Sequence, residues 1–276
     1  MHSVRRLVSV LADAARVYYE DGGCPICARE TSGGRLCAAC ETALGLARLP
    51  QPAFVLQRPN GRTHAENAVQ NTEPLDCRSV YAYESDAVRK LLFYLKEYPD
   101  RHIVQEFAAR LCEILPDSRK ADRTLFVNIP RSAAGRRKYG FDQAALLAST
   151  AVRLLDRSAP LAQSGRKPCT QAVCFADLLA VRPFGKVQKA LTARERAANK
   201  SGRLYVRPFF RRLPWIPRHI VITDDVITTG SSVLAAAETL QKCFPNAEIS
   251  ALSLAAVTRY ETVKPLEDAI LLQKKE

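Results

Sequence analysis

Two adjacent carboxylates, Asp224 and Asp225, carry the clearest chemistry in this chain. They follow an apolar run, His219 to Ile222 with Thr223, and precede Thr228-Thr229-Gly230-Ser231-Ser232. The run reads as a buried strand, and Val233, Leu234, Ala237 and Leu240 then sit at helical spacing. An acidic pair at the carboxyl end of a strand, before a hydroxyl-rich loop that opens a helix, stands where open α/β sheets bind ligands. Backbone N–H groups of such a loop, together with the helix dipole, attract a phosphate. Carboxylates accept hydrogen bonds from vicinal hydroxyls, as on a ribose. One site would then hold a sugar by its diol and by its phosphate. The competing reading is an ordinary strand, an acidic turn and a capped helix, since Ser and Asp favour helix caps.

Four cysteines form a second constellation. Cys24-Pro25-Ile26-Cys27 and Cys37-Ala38-Ala39-Cys40 are two Cys-x-x-Cys knuckles, with Gly22, Gly23, Gly33 and Gly34 around them to allow tight turns. Each pair lets two thiolates reach one ion, and two pairs complete a tetrahedron. Four sulfurs suit zinc and do not suit calcium or magnesium. With no open position such a site is structural. An iron site or a redox pair is the alternative, although a redox Cys-x-x-Cys needs one pair in a strand-helix setting. Cys77, Cys112, Cys169, Cys174 and Cys243 lack ligand spacing and read as mostly buried small residues.

The elements that must position these groups fit a chain of 276 residues, enough for one large domain or one plus a small module. An apolar content of 47% provides for a substantial core. The net charge is 41 − 28 = +13, which suits a polyanion partner such as nucleic acid or a diphosphate, or serves solubility alone. No apolar run approaches a membrane span. The first 20 residues place Val4, Leu7, Val8, Leu11 and Ala15 on one helical face, so an amphipathic helix and a cytoplasmic protein are expected. The nine cysteines are odd in number, which in that compartment argues against disulfides.

Residues 1–45 are expected to form a helix and the cysteine module, 46–75 an irregular linker, and 76–276 the main domain. Strands are expected at Cys77 to Tyr83, Leu125 to Ile129, Phe175 to Arg182, the run before Asp224, and Ile249 to Val257. Helices are expected at Ser85 to Glu97, Ile103 to Leu115 and Asp142 to about Leu155, with a basic loop from Arg131 to the last of these. Strands alternating with helices imply a mostly parallel α/β sheet flanked by helices.

The stretch Ile220 to Ser232 resembles the PRPP (phosphoribosyl pyrophosphate) motif of type I phosphoribosyltransferases: an apolar strand, two acids, an apolar residue, any residue, then Thr-Thr-Gly. Together with the knuckles it is similar to the ComF family, also called ComF/GntX. That family joins a four-cysteine module to a phosphoribosyltransferase-like domain. The order of further matches supports this over roughly residues 20 to 260. They are Leu95-Lys96, Ile129-Pro130 with Arg136 and Arg137, Gly140-Phe141-Asp142-Gln143, and Gln188-x-x-Leu191-Thr192-x-x-Glu195-Arg196-x-x-Asn199. Two positions depart from the family pattern. Asp142 stands where asparagine is usual, removing donors and adding charge, and Tyr139 stands where arginine is common.

The resemblance implies that Asp224 and Asp225 hold the ribose diol, and that Thr228, Thr229, Gly230, Ser231 and Ser232 hold the 5′-phosphate. Lys96, Arg136 and Arg137, with Arg131, are the cations for a departing diphosphate, which magnesium would accompany. Arg194, Arg196 and Asn199 correspond to a mobile lid, or else contact nucleic acid. Phe209, Phe210, Arg211, Arg212 and Trp215 interleave rings with cations, which suits single-stranded nucleic acid and equally an exposed insertion or partner site. The family is associated with uptake of transforming DNA beside a helicase partner. The expected function is binding of PRPP or a related ribose phosphate, with or without transfer chemistry. The alternatives are a non-catalytic zinc-containing adaptor for single-stranded DNA or a helicase, and plain nucleobase salvage.

Overall fold

The runs Leu125-Phe126-Val127, Ile220-Val221-Ile222 and Ile249 to Ala256 are mostly apolar, as strands covered on both faces require. A computed structural model describes residues 23–31, 35–51, 53–57, 74–98, 100–120, 123–131, 133–158, 173–182, 204–208 and 213–258. The strands are β1 (Phe54–Leu56), β2 (Leu75–Ala82), β3 (Thr124–Asn128), β4 (Val173–Phe175), β5 (Leu179–Val181), β6 (Leu204–Val206), β7 (His219–Ile227) and β8 (Glu248–Ala256). Six of them form one sheet in the order β1-β2-β8-β7-β3-β4, parallel except for β1. Strands β5 and β6 pair separately as an antiparallel ribbon. The helices are α1 (Ala38–Leu46), α2 (Asp86–Glu97), α3 (Arg101–Ile114), α4 (Ala133–Tyr139), α5 (Gln143–Ser158) and α6 (Ser231–Gln241). None of the described helices is long and apolar enough to cross a membrane.

Successive side chains of a strand point to opposite faces. Accordingly Phe126 and Val221 join a core with α2, α3 and α5, while Leu125, Val127, Ile220 and Ile222 join another with α6. Helix α5 follows β3 and leads to β4 on one side of the sheet order. Helix α6 follows β7 and leads to β8 on the other side. Strands β3 and β7 are therefore the neighbours at which the winding reverses. Their carboxyl ends are the topological switch point, the general ligand position of open α/β sheets.

Several expected elements differ in detail. The acids do not follow the strand but belong to it: β7 continues past Thr223 to Ile227. Pairing with β3 ends at Thr223, whereas pairing with β8 carries Asp224 opposite Ser253 and Ile227 opposite Ala256. Within the expected basic loop, Ala133–Tyr139 winds into α4. Phe175 to Arg182 is not one strand. Ala176 N–H bonds the Phe126 carbonyl at 3.0 Å, ending β4 in the main sheet, and β5 restarts in the ribbon. The stretch read as an irregular connection contains the end of α1 and the edge strand β1.

The cysteine segment shares its core with the main sheet. Leu44 of α1 is fully buried in one cluster with Leu91, Leu95 and Phe107, and Ile26 and Leu36 pack against that cluster. Arg110 of α3 donates to both oxygens of Glu41 at 2.8 and 2.9 Å and also to the Tyr81 hydroxyl. Arg48 pairs with Glu113. Exposed pairs contribute about 0–1 kcal/mol each, whereas full burial of a leucine contributes roughly 1.5–3 kcal/mol. Packing, more than charge, joins the segment to α2 and α3.

Candidate functional site

Strand β7 delivers Asp224 and Asp225 to this end of the sheet, beyond the point where β3 departs. Each carboxylate folds back on the next amide: Asp225 N–H donates to Asp224 Oδ1 at 2.9 Å, and Val226 N–H to Asp225 Oδ1 at 2.8 Å. Lys96, in the last turn of α2, reaches Asp225 Oδ2 at 3.5 Å. Burial, the adjacent Asp225 charge and, more weakly, the charge of Asp142 hold the Asp224 carboxyl well above the usual carboxylate range. A proton or a hydroxyl donor from a ligand would relieve that desolvated charge.

Asp224 lines one small cleft with Thr228, Gly230, Ser231 and Ser232. Gly230 stands at the helix cap position of α6 and makes no cap bond itself, while Ser231 N–H donates to Thr229 Oγ1 at 3.4 Å. The first N–H groups of a helix are donors for an anion. Thr229 donates to the Ser231 hydroxyl at 3.1 Å, so the loop hydroxyls already form a chain. The structure thus gathers Asp224, Asp225, Lys96 and the 228–232 loop.

Gly230 adopts φ +71°, and a Cβ there would lie 2.5 Å from Leu56 Cδ1. A left-handed conformation costs an alanine roughly 1–2 kcal/mol, and the contact with buried Leu56 adds to it. Gly230→Ala is expected to lower the melting temperature by about 5 °C. Thermal denaturation followed by circular dichroism checks this, and an unchanged melt would contradict the close packing of the loop.

The end of β3 and the start of α5 lie at the same end of the sheet. Asp142 stands just before α5; its Oδ2 accepts Arg131 N–H at 2.8 Å and its Oδ1 accepts Ala145 N–H at 3.2 Å. Asparagine has one acceptor oxygen, so the acid here is suited to receive both N–H groups. Asn128, the last residue of β3, is buried with Oδ1 unpaired, and Gln143 is buried with both amide atoms unpaired. Buried polar atoms without a protein partner call for a polar partner such as water or a ligand group. Asn128 was missed in the sequence; its signal is a lone amide closing the apolar run Leu125-Phe126-Val127.

The other expected cations take different places. Arg131 turns back on its own loop, 4.1 Å from the Tyr139 ring centroid, and donates to the Phe141 carbonyl at 3.3 Å. Arg136 and Arg137 are exposed on α4. Their neighbour Lys138 lies 3.8 Å from Glu97, beside Lys96 in sequence. Arg194, Arg196, Asn199 and Phe209 to Arg212 lie outside the described residues. Trp215 packs half-buried against the α6-side core.

The ligand atoms of Cys24, Cys27, Cys37 and Cys40 lie within 4.8 Å of one another, and all four thiols are free. Tetrahedral zinc–sulfur bonds of about 2.3 Å separate sulfurs by about 3.8 Å, so this donor set fits one ion. The first knuckle is a tight turn: Ala28 takes φ +60° and its N–H bonds the Cys24 carbonyl at 2.8 Å. The second opens α1, with Cys37 at its cap position. Cys37 N–H donates to Cys24 Sγ at 3.5 Å. The Cys40 N–H, with the surrounding thiols, lowers the Cys37 thiol to about 7, while burial raises Cys40. Among the described residues this is the one cluster of metal-ligating side chains.

Known families and curated proteins were compared with the chain: no family model matches it, and no curated protein does.

Proposed function

We propose that the chain is a ComF-type protein whose sheet carries a type I phosphoribosyltransferase-like site for PRPP or a related ribose phosphate. One observation carries the reading: Asp224 and the loop that opens α6 line the same cleft at the switch point of a parallel sheet. The two carboxylates take the 2′- and 3′-hydroxyls, and the loop N–H and hydroxyl groups of residues 228–232 take the 5′-phosphate. The sugar's C1 would then face away from the phosphate loop, on the side of Lys96 beside Asp225. A diphosphate on C1 would be accompanied by magnesium, which bridges phosphate oxygens. Zinc is the ion for the four cysteines, in a structural role. The resemblance further places such a protein with transforming single-stranded DNA and a helicase partner.

Calorimetric titration with ribose 5-phosphate, and separately with PRPP and magnesium, tests the site. Saturable binding at one ligand per chain is expected. No heat with either ligand, from a folded and metal-loaded protein, would remove the reading and favour a non-catalytic adaptor.

A further inference from the structure

We infer that Cys27 and Cys37 are an oxidation site: a peroxide joins their two sulfurs across the knuckles and so expels the metal ion. The inference rests on the zinc reading of the four cysteines and is independent of the ribose-phosphate reading.

The four sulfurs are not equivalent. Cys24 is fully buried and Cys40 is 8% exposed, whereas Cys27 is exposed and Cys37 half-buried. The cluster therefore has an inner pair and an outer pair, and each knuckle gives one sulfur to each. The outer sulfurs, Cys27 Sγ and Cys37 Sγ, stand 3.6 Å apart. Cys27 belongs to the turn of the first knuckle, and Cys37 stands at the cap position of α1. A bond between them ties two separate elements. A bond within either knuckle would need a buried sulfur, Cys24 or Cys40.

Metal ligation keeps a cysteine deprotonated, and the thiolate is the form that attacks a peroxide. The exposed Cys27 thiolate attacks one oxygen of hydrogen peroxide. The O–O bond breaks, leaving a sulfenic acid on Cys27 and one water. The Cys37 thiolate then attacks the Cys27 sulfur, the S–O bond breaks, and a second water departs. In all, the two thiolates lose two electrons, the peroxide gains them, and solvent supplies two protons. Cys24 and Cys40 then remain as ligands, where a structural zinc site needs four.

The other described cysteines are poorer targets. Cys77 is buried, and burial pushes the thiols of Cys112 and Cys174 up to about 11. At neutral pH these hold little thiolate, so oxidation concentrates at the outer pair. The new bond also takes over part of the ion's work, because it keeps the first knuckle tied to the start of α1.

The test treats the zinc-loaded full chain with one equivalent of hydrogen peroxide while a colorimetric chelator follows free zinc. The remaining thiols are then alkylated and the chain is digested with trypsin without reduction. Cleavage at Arg29 and Arg35 puts Cys24 and Cys27 in one peptide and Cys37 and Cys40 in another. A bond across the knuckles links the two peptides, and fragmentation locates it. One zinc released for each linked pair is expected, with Cys24 and Cys40 alkylated. The oxidised chain is expected to melt between the zinc-loaded chain and the chelated, reduced one. Separate peptides with internal bonds overturn the inference, and so does a link through Cys24 or Cys40. Zinc retained with all four thiols intact after excess peroxide overturns it as well. If the purified chain holds no zinc, the zinc reading fails, while the same peptide map still decides whether Cys27 and Cys37 pair.

Discussion

Replacing Asp224 and Asp225 together by Asn is expected to weaken binding of ribose 5-phosphate and PRPP by about a hundredfold or more. Hydrogen bonds to a charged acceptor contribute about 1.5–3 kcal/mol each, and two hydroxyls lose them together. Stability is expected to move the other way. Asp224 is held above the ordinary carboxylate range in the folded chain. Its folded value therefore exceeds its unfolded one, so its favourable contribution is complete below the unfolded value and is lost as pH rises through the folded one. Near neutral pH the unfolded Asp224 carboxyl ionises more readily than the folded one, which opposes folding, so the ligand-free Asn variant is expected to melt above wild type. Parallel calorimetric titration and thermal melts check both halves. Affinity within tenfold of wild type would remove the acids from the site. A lower melt with affinity lost would show instead that the variant damages the sheet.

A gain in stability with a loss of binding is the signature of a site that stores an unfavourable charge for its ligand. The same logic explains which features were legible in the sequence. The apolar runs of β3, β7 and β8 announce strands, and the acids with Thr228 to Ser232 announce a carboxyl-end site, because burial and loop chemistry are local. Lys96 was legible as a cation at a helix end, but its approach to Asp225 depends on how α2 lies across the sheet. Asp142 looked like a lost amide; its two accepted N–H bonds depend on Arg131 and Ala145 converging, which spacing does not reveal. Helix α4 was hidden because Arg136, Arg137 and Lys138 give no apolar stripe. The strand break after Phe175 was hidden for a related reason: Phe175 to Arg182 is apolar apart from Asp177 and the terminal Arg182, and it is pairing that divides it.

The cysteine module provides the second large effect, and there the packing changes what the sequence implies. Read as a separate knuckle, the module should loosen alone when its metal is removed and leave the sheet folded. Helix α1 contradicts that independence. It begins at the second knuckle, and six residues or so further on it buries Leu44 among Leu91 and Leu95 of α2 and Phe107 of α3. Without an ion, the four thiols within 4.8 Å of one another keep only weak contacts, Cys37 N–H to Cys24 Sγ at 3.5 Å and Cys27 Sγ to Cys37 Sγ at 3.6 Å. Metal release therefore frees α1, and with it Leu44 and the contacts of Ile26 and Leu36. Losing about 3–5 kcal/mol of packing is expected to lower the melting temperature of the whole chain by roughly 10 °C. Zinc quantified during chelation should leave at one ion per chain, with a single shifted melt. A separate early transition with the main melt unmoved would restore the independent module. Leu44→Ala in the metal-loaded protein isolates the packing, at a cost of about 2–5 kcal/mol. Because α2 ends in Lys96, the metal-free protein is also expected to bind ribose 5-phosphate several-fold more weakly. Equal affinity with and without metal would show that α2 keeps its place on the sheet by its own packing against α3.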